Sequence, residues 1–273
     1  MDTAQGESWD HIASLYDSLS AVRGTEFQQE IIIPGILRLL LLRRGERVLD
    51  QACGQGAVSK SLHSEGAEVT GVDLSPRLID IARRRSPKAI RYLVGDVRRL
   101  DSLPDTEFDA VVCVLAVQNI EPIAPLFAES ARLLRTGGRL VVVLNHPVFR
   151  IPRQSSWRWD EERKLLYRGV DRYLTPLRIP IDMAPFKDRG RKTTWTYHRP
   201  LQTYVNGLAA AGLWTNALEE WPSHKSSQPG PKAKAENRAR TEFPMFLALR
   251  AVRVPDAPAA RDASGTPFPS LPA

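Results

Sequence analysis

Residues 47–56 read Arg-Val-Leu-Asp-Gln-Ala-Cys-Gly-Gln-Gly, an apolar strand that runs into a tight glycine turn with a carboxylate at the junction. Gly54 and Gly56 can adopt positive φ and leave the backbone bare, so a ligand can lie against the main chain. Asp50 stands at the carboxyl end of the predicted strand, where ligands bind in open α/β sheets. The stretch therefore predicts a strand, turn and helix with a ligand at the turn.

Two further acids follow at the ends of the next predicted strands. Asp73 comes 23 residues after Asp50 (73 − 50), a separation that is typical of neighbouring strands in a βαβ unit. A carboxylate at the tip of that second strand can accept both hydroxyls of a ribose. Asp96 can accept a hydrogen bond from an adenine amino group, while the backbone N–H of Val97 can meet a ring nitrogen. These positions predict a nucleoside-binding edge, and three acids there also suit a cationic ligand.

Two phosphate-binding motifs compete with this interpretation. The dinucleotide fingerprint Gly-x-Gly-x-x-Gly requires a third glycine where this chain has Ser59. No Gly-x-x-x-x-Gly-Lys-Ser/Thr stretch occurs in the sequence, which argues against a P-loop. The sequence therefore favours a ligand that has a ribose but no polyphosphate.

Together these motifs resemble those of the class I S-adenosylmethionine-dependent methyltransferases, and the resemblance covers roughly residues 8 to 250. Several motifs in the right order are more specific than one, and a cofactor-free doubly wound domain with these glycines is the alternative. Ala52 stands where the first glycine of the family's motif often stands. The matching stretches are residues 50–56 (glycine-rich motif), 72–75 (ribose), 95–97 (adenine), 108–113 (fourth strand), 133–142 (turn into the fifth strand) and 9–17 (a helix that covers the cofactor).

The resemblance implies S-adenosyl-L-methionine as the cofactor and a Rossmann-like α/β fold. Its sheet is expected to be doubly wound, mostly parallel and seven-stranded, with a C-terminal antiparallel hairpin and a lid insertion after strand five. No metal site is predicted. The cofactor-binding residues that it implies are Trp9, Tyr16, Asp50, Ala52, Cys53, Gly54, Gly56, Asp73, Leu74, Asp96, Val97, Cys113 and Gln118.

Alternating strand and helix patterns predict a parallel sheet that is covered by helices on both faces. A glycine stop at residues 136–138 is expected to end the helix before strand five. The predicted strands are residues 47–50, 67–73, 90–94, 110–115 and 140–144, the helices residues 122–134 and 201–211, and the terminal hairpin residues 217–221 and 243–250. We expect one methyltransferase domain over residues 1–252, with a cofactor-covering helix in 1–30, and a disordered tail rich in Pro, Ala and Ser over 253–273.

The insertion over residues 146–198 is longer than a usual connection and is expected to form a substrate lid. It holds three of the six Trp and three of the six Tyr of the chain. Because it leaves the carboxyl end of a strand, it must arch over the ligand edge. Such a lid suits a flat or apolar acceptor. The alternative is that its aromatic residues form a small core of their own.

Methyl transfer from a sulfonium is an in-line displacement that needs a nucleophile held close and shielded from water. His146, directly after strand five, and His198, just before a predicted helix, are the candidate catalytic residues, since a hydroxyl acceptor benefits from a general base. Capping or packing is the alternative role for His198. Gln118 and Asn119, beyond strand four, can orient a substrate or the methyl group but cannot act as a base. The sequence leaves open whether oxygen, nitrogen or carbon receives the methyl group, and also the oligomeric state.

Composition favours a cytoplasmic enzyme without a membrane segment. The apolar share is 42%, the charged share 25% and the net charge +7, and the chain begins with polar residues rather than a signal peptide. The arginines are spread along the chain instead of forming the basic patch that marks a nucleic-acid partner. The motif that base-amino methyltransferases carry after strand four is absent, and Cys113, within a predicted strand, is a poor nucleophile. A small-molecule acceptor is favoured, and the alternatives are a macromolecular target or a non-catalytic cofactor-binding protein.

A basic loop over residues 223–240 separates the strands of the terminal hairpin. Its Pro-Gly-Pro core and its few apolar residues predict a mobile segment. One interpretation is a solvated insertion. The other is a flap whose cations draw a carboxylated or phosphorylated acceptor towards the site. The lid and the loop together thus favour a small-molecule acceptor that is aromatic or anionic.

Overall fold

The computed structural model describes residues 25–182 and 193–254. Trp9, Tyr16 and nearly all of the predicted cofactor-covering helix lie outside the described residues. The same holds for residues 183–192 of the predicted lid and for residues 255–273 of the predicted tail.

The described residues form alternating strands and helices, as the apolar patterns predict. The strands are β1 Arg47–Gln51, β2 Glu68–Asp73, β3 Arg91–Val94, β4 Phe108–Val114, β5 Leu134–Asn145, β6 Ser155–Asp160, β7 Leu165–Val170, β8 Leu177–Asp182, β9 Thr193–His198, β10 Leu213–Trp221 and β11 Phe246–Arg253. The helices are α1 Ile33–Leu40, α2 Ala57–Ser64, α3 Pro76–Arg85, α4 Ala124–Leu133, α5 Leu201–Ala210 and α6 Ala233–Glu242. A helical turn, Thr25–Phe27, and a π-helical turn, Gln28–Ile32, lead into α1, and a 3-10 turn, Val117–Asn119, follows β4.

Seven strands form one sheet in the order β10-β11-β5-β4-β1-β2-β3. The five strands β1 to β5 pair in parallel, whereas β11 pairs antiparallel with β5 and with β10. This confirms the predicted doubly wound sheet and its antiparallel C-terminal hairpin. The strand order reverses between β1 and β4, and ligands bind at such a switch point, beyond the carboxyl ends of the strands.

Both faces of the sheet are buried, which explains why the central strands are continuous apolar runs. Successive residues of β4 point to opposite faces, so Val111 and Val112 belong to different apolar clusters. One cluster contains Phe127 of α4 and Leu208 of α5, and the other contains Ile36 of α1 together with residues of α2 and α3. The two packed layers fix the carboxyl ends of the strands, where the predicted site residues lie.

The predicted glycine stop does not end α4. The helix ends at Leu133, and β5 begins at Leu134, so Gly137 and Gly138 lie within the strand. The pairing of β4 with β5 shifts register between Phe108 and Ala110, and Gly137 has φ +72°. The glycines therefore accommodate a bulge in the strand rather than a helix terminus.

The insertion after β5 contains two separate two-stranded hairpins, β6–β7 and β8–β9. The prediction of a mobile basic loop is wrong for its second half, because residues 233–242 form α6 and Ala239 is buried. The side chain of Asn237 accepts a hydrogen bond from the backbone N–H of Ser227 at 2.7 Å, which ties the loop to the helix. Lys225 pairs with Glu26 at 2.6 Å.

Candidate active site

A cavity opens at the switch point, beyond the carboxyl ends of β1, β2, β3 and β4. Each strand contributes the residues that directly follow it, so the site is built from short local turns rather than from distant side chains. Its lining residues are Ala52, Gly54, Asp73, Leu74, Leu78, Gly95, Asp96, Val97, Arg98, Val114, Leu115, Ala116, Asn119 and Ile120.

The turn after β1 exposes backbone to this cavity. Ala52 and Gly54 have φ +55° and Gly56 has φ +78°, the left-handed region that disfavours side chains. A Cβ on Gly56 would lie 2.3 Å from the Tyr92 hydroxyl oxygen, whereas a Cβ on Gly54 would meet no atom of the described residues within 4 Å. Gly56 is thus required by packing inside the protein, and the space next to Gly54 is open for a ligand.

Asp73 joins two of these turns. Its two carboxylate oxygens accept hydrogen bonds from the backbone N–H of Gly54 and of Ser75, each at 2.9 Å. These bonds fix the orientation of the carboxylate at the junction of the two turns. Asp73 is 8% exposed and lines the cavity, and this position suits a diol.

Asp96 also lines the cavity but is paired with an arginine that the sequence reasoning did not assign to the site. The Arg98 guanidinium donates to both carboxylate oxygens of Asp96, at 2.8–3.1 Å, and its backbone N–H donates at 2.9 Å. Burial raises the pKa of Asp96, but the hydrogen bonds from Arg98 outweigh it and hold the pKa below its usual range. Asp96 is therefore a carboxylate, able to accept but not to donate.

Asp50 lies beneath the turn rather than on the cavity surface. It is 1% exposed, and its Oδ2 accepts a hydrogen bond from the Ser59 hydroxyl at 2.6 Å. Ser59, at the third position of the glycine pattern, thus anchors α2 to β1. Burial raises the pKa of Asp50 to about 7, although the bond from Ser59 lowers it. The charge of Asp73 raises it further.

The remaining predicted cofactor residues near the turn and β4 differ in position. Leu74 and Val97 line the cavity, whereas Cys53, Cys113 and Gln118 do not contribute to its lining. Cys113 is 0% exposed and lies in one of the two apolar clusters, because packing covers both faces of β4 up to its end. The contact between Cys113 and the cofactor stays a prediction.

Gln118 faces inward in the turn after β4. Its side-chain nitrogen donates to the Leu115 carbonyl at 2.7 Å, and its Oε1 is buried without a hydrogen-bond partner among the described residues. Its backbone carbonyl accepts a hydrogen bond from the Thr196 hydroxyl of β9 at 3.2 Å. The next two residues, Asn119 and Ile120, line the cavity instead. The β8–β9 hairpin is thereby attached to the rim of the cavity.

His146 follows β5 and is 3% exposed. Its Nδ1 accepts the backbone N–H of Val148 at 3.2 Å and that of Phe149 at 3.4 Å, so the ring proton lies on Nε2, which donates to Glu220 at 2.6 Å. Burial lowers the pKa of His146, and the bond to Glu220 partly opposes this. Both ring nitrogens are engaged, and the ring stacks on Phe149 with centroids 4.9 Å apart.

His198 is the last residue of β9 and is 6% exposed. Its Nε2 donates to the Tyr173 carbonyl at 2.7 Å, which leaves Nδ1 as the nitrogen that can accept a proton. Burial lowers the pKa of His198, so the ring is neutral near pH 7. It lines a second cavity, between the start of α4, the β8–β9 hairpin and α5, together with Arg178, Tyr197 and Arg199. The two candidate histidines are therefore not brought together.

Eight residues that line the first cavity are not among the predicted cofactor-binding residues: Leu78, Gly95, Arg98, Val114, Leu115, Ala116, Asn119 and Ile120. Leu78 lies on α3, and Arg98, Asn119 and Ile120 directly follow predicted site positions. Arg98 has a sequence signal, because it lies two residues after the predicted adenine-binding acid and can turn back onto it. Asn119 and Ile120 depend on the 3-10 turn after β4, which the apolar pattern does not indicate.

Comparison with known proteins identifies the class that this fold and cavity define. A family model described as a methyltransferase domain matches residues 49–142. A demethylmenaquinone methyltransferase of Beutenbergia cavernae is 33% identical over 182 residues, which cover 64% of this chain and 70% of that protein. The chain belongs to the class I S-adenosylmethionine-dependent methyltransferases and is an enzyme whose cofactor is S-adenosyl-L-methionine.

Other relatives match over shorter stretches. A demethylmenaquinone methyltransferase of Tropheryma whipplei is 38% identical over 115 residues, 40% of this chain. The match spans less than half of that protein's length, 46%. A ubiquinone biosynthesis O-methyltransferase of Xanthomonas oryzae is 37% identical over 99 residues, 35% of this chain and 41% of that protein. Among solved structures, an S-adenosylmethionine-dependent methyltransferase of Mesorhizobium loti has a TM-score of 0.64 at 28% identity, covering 81% of this chain and 96% of that one.

The first cavity fits this cofactor by its own chemistry. Among the described residues, the backbone next to Gly54 borders open space, the Asp73 carboxylate lines the cavity, and apolar walls from Leu74, Leu78 and Ile120 suit an adenine ring. None of the helices within residues 25–182 and 193–254 is both long and apolar enough to cross a membrane.

Proposed function

We propose that the enzyme transfers the methyl group of S-adenosylmethionine to a small-molecule acceptor at the carboxyl edge of the sheet. The observation that carries this proposal is the switch-point cavity, which combines open backbone at Gly54 with the carboxylates Asp73 and Asp96. The aromatic insertion after β5 supports a small, flat acceptor rather than a macromolecule. The names of the Beutenbergia cavernae, Tropheryma whipplei and Xanthomonas oryzae relatives support a quinone-like ring compound as the acceptor class.

The proposed cofactor-binding roles follow the geometry of the turns. Asp73 accepts hydrogen bonds from the ribose hydroxyls, and the Gly54 backbone gives close approach. Asp96, with its pKa held low by Arg98, accepts a bond from the adenine amino group, and Leu74 and Val97 hold the ring. When bound, the cofactor supplies an electrophilic methyl group on a sulfonium, and the chain's own task is to orient the acceptor and exclude water.

The two candidate histidines are proposed to differ in role. His146 has both ring nitrogens in hydrogen bonds, so we assign it the positioning of the segment that begins with Val148 and Phe149. His198 keeps Nδ1 as a proton acceptor and is neutral near pH 7, so it is the candidate base for an acceptor that must lose a proton.

Methyl-labelled S-adenosylmethionine, incubated with the enzyme and fractionated cell extract, tests the small-molecule proposal. We expect the label to appear in a low-molecular-mass product that can be identified by its mass. Label that is recovered only in the RNA, DNA or protein fraction would overturn a small-molecule acceptor and favour the macromolecular alternative.

Asp73→Ala is expected to weaken binding of S-adenosylhomocysteine by about 100-fold or more, measured by calorimetry, because it removes two hydrogen bonds to the ribose. Hydrogen bonds to a charged group contribute about 1.5–3 kcal/mol each, and about 1.4 kcal/mol is a factor of ten. Asp73→Asn keeps the shape and one acceptor oxygen, so it should fall between the parent and the alanine variant. Asp80→Ala, an exposed acid on α3, is the matched control and should bind as the parent does. Unchanged affinity in Asp73→Ala would remove Asp73 from the cofactor site.

Trp157→Ala on β6 is expected to raise the KM for the acceptor several-fold while the affinity for S-adenosylhomocysteine changes less than twofold. Trp157 packs edge-to-face on Phe243 at 5.5 Å, so it belongs to the insertion rather than to the cofactor turns. Trp214→Ala, which removes a 41% exposed tryptophan from β10, is the control. Equal loss of acceptor and cofactor binding would mean that Trp157 stabilises the whole domain and does not contact the acceptor.

A further inference from the structure

A third cavity, of about 450 Å³, lies between the β6–β7 hairpin, α6 and the start of β11. It is on the carboxyl edge of the sheet, because the Met245 carbonyl accepts from the His146 N–H at 2.9 Å and the Met245 N–H donates to the Trp221 carbonyl at 2.8 Å. Its size is within the range of small-molecule sites. The lining residues are Phe27, Arg150, Trp157, Leu166, Ser223, Glu236, Arg240, Phe243 and Met245.

Arginines without acidic partners distinguish this cavity. Arg150 and Arg240 line it, and Arg168 lies behind its wall, 5.0 Å from the centre of the Trp157 ring. Arg168 donates to the Phe149 carbonyl at 2.8 Å, and Arg240 donates to the Ser227 hydroxyl at 3.1 Å. In the part of the chain that the structure describes, none of the three guanidinium groups forms an ion pair.

Arg150 is the least satisfied of the three. Its Nε is buried and has no hydrogen-bond partner among the described residues. Burial lowers the pKa of Arg150, and the charges of Arg168 and Arg240 lower it further. Glu236 is the acid in the lining, so three positive charges and one negative charge leave a local excess of two.

Among the described residues, the two arginines with the lowest exposure, Arg139 and Arg199, each have an acidic partner, whereas the partly buried Arg250 has an Nε without a hydrogen-bond partner, as Arg150 does. Arg139 is paired with Glu46 and also donates to the Leu40 carbonyl. Arg199 is paired with Glu121 and donates to the Ile120 carbonyl at 2.7 Å. Because an unpaired buried charge costs free energy, a cluster of like charges next to an open cavity suits an anionic ligand that supplies the missing charge.

We propose that this cavity binds the anionic group, a carboxylate or a phosphate, of a ring-bearing acid. Arg150 and Arg240 hold the anion, and Trp157, Phe243 and Leu166 enclose the ring. Phe243 makes edge-to-face contacts with Trp157 at 5.5 Å and with Phe149 at 5.3 Å, so the aromatic wall is continuous.

The inference rests on the proposed function where it takes this acid to be the methyl acceptor. The nearest strands of the two cavities are β4 for the switch-point cavity and β11 for the third cavity. Only β5 lies between them, so they are two strand spacings, about 10 Å, apart along the same edge. That separation allows one acceptor to be held by its acid group while another part of it reaches the cofactor.

Calorimetric titration of the purified full chain with 2-naphthoate, 2-naphthyl phosphate and the neutral 2-naphthamide tests the site. We expect at least one of the two acids to bind more tightly than the amide by a factor of about ten or more, since charge-assisted hydrogen bonds are roughly twice as strong as neutral ones. The better-bound acid identifies the anionic group. If neither acid binds more tightly than the amide, the proposal is wrong.

Arg150→Gln and Arg240→Gln should each reduce the preference for the acid over the amide to less than threefold. Arg238→Gln is the matched control, because Arg238 is an exposed residue of the same helix, α6. Loss of the preference in the control would overturn the assignment. Arg150→Gln should melt no lower than the parent, because it removes like-charge repulsion, and this separates loss of binding from loss of folding.

The failure of this inference can be distinguished from failure of the proposed function. Methyl transfer to a neutral small molecule, without a preference for acids in the titration, would leave the proposed function standing and reject the arginine site. A preference for acids that depends on Arg150, together with label only in macromolecules, would keep the site and reject the small-molecule acceptor.

Discussion

Gly54→Val is expected to abolish detectable binding of S-adenosylhomocysteine while the domain stays folded. Within residues 25–182 and 193–254, a Cβ at this position meets no atom within 4 Å, and Gly54 lines the switch-point cavity, so an isopropyl group would occupy ligand space rather than displace these residues. The backbone N–H would still donate to Asp73. Calorimetry and the melting temperature measure the two effects separately.

Gly45→Val is a matched control for this variant. Gly45 has φ +83°, and in the described part of the chain its Cβ would also meet no atom within 4 Å. It is an exposed residue between α1 and β1, away from the cavity. Both substitutions place a β-branched residue in the left-handed region and should cost about 1–3 kcal/mol of stability each. Binding should be lost only in Gly54→Val. If Gly54→Val binds S-adenosylhomocysteine with the parent's affinity, S-adenosylhomocysteine does not approach the turn after β1.

The cofactor edge could be predicted because its residues belong to local strand-to-turn patterns. Asp73 and Asp96 directly follow apolar runs, and parallel strands bring their carboxyl ends to one edge whatever the rest of the fold does. Cys113 shows the limit of this reasoning. The sequence put it at the end of a buried strand, and it lies there, but the cavity lining at that point comes from Val114 to Ala116, Asn119 and Ile120, whose placement depends on the turn after β4.

Residues 223–240 show the same limit for a loop. Low hydrophobicity predicted a mobile segment, yet residues 233–242 are rich in helix-forming Ala, Lys, Glu and Arg, and Ala239 is buried. The third cavity, which is lined by Arg150 and Arg240, is harder still to predict from the sequence. Arg150, Arg168 and Arg240 come from three segments of the chain, and no spacing rule joins them.

Ionisation of Asp50 is expected to lower the stability of the protein as the pH rises from about 4 to about 7. The unfolded chain should titrate this group near pH 3.9, whereas burial raises its pKa in the folded protein to about 7. Between these values the folded state holds a proton that the unfolded state has lost. The stability that this proton provides is complete below about pH 4 and is lost as the pH passes the folded pKa.

Asp50→Asn removes this dependence, because the amide cannot ionise while its oxygen can still accept the hydrogen bond from Ser59. A shift of about three pKa units corresponds to at most about 4 kcal/mol. The free energy of unfolding of the variant, relative to that of the parent, should rise by up to this amount between pH 4 and pH 7. Urea unfolding at intervals of half a pH unit measures the difference. Asp101→Asn, at a side chain that is 70% exposed, should show no such change.

Ser59→Ala is a further test, because it should change the pH dependence of stability in a direction that structural damage alone would not produce. The hydrogen bonds from Ser59 lower the pKa of Asp50 against the effect of burial, so removing the hydroxyl should move the decline in stability to higher pH. Asp73→Ala should move it to lower pH, because the charge of Asp73 raises the pKa of Asp50. Parallel stability curves for the parent and Asp50→Asn from pH 4 to 8 would show that Asp50 is ionised in the folded protein throughout. The carboxylate would then be stabilised by the turn despite its burial.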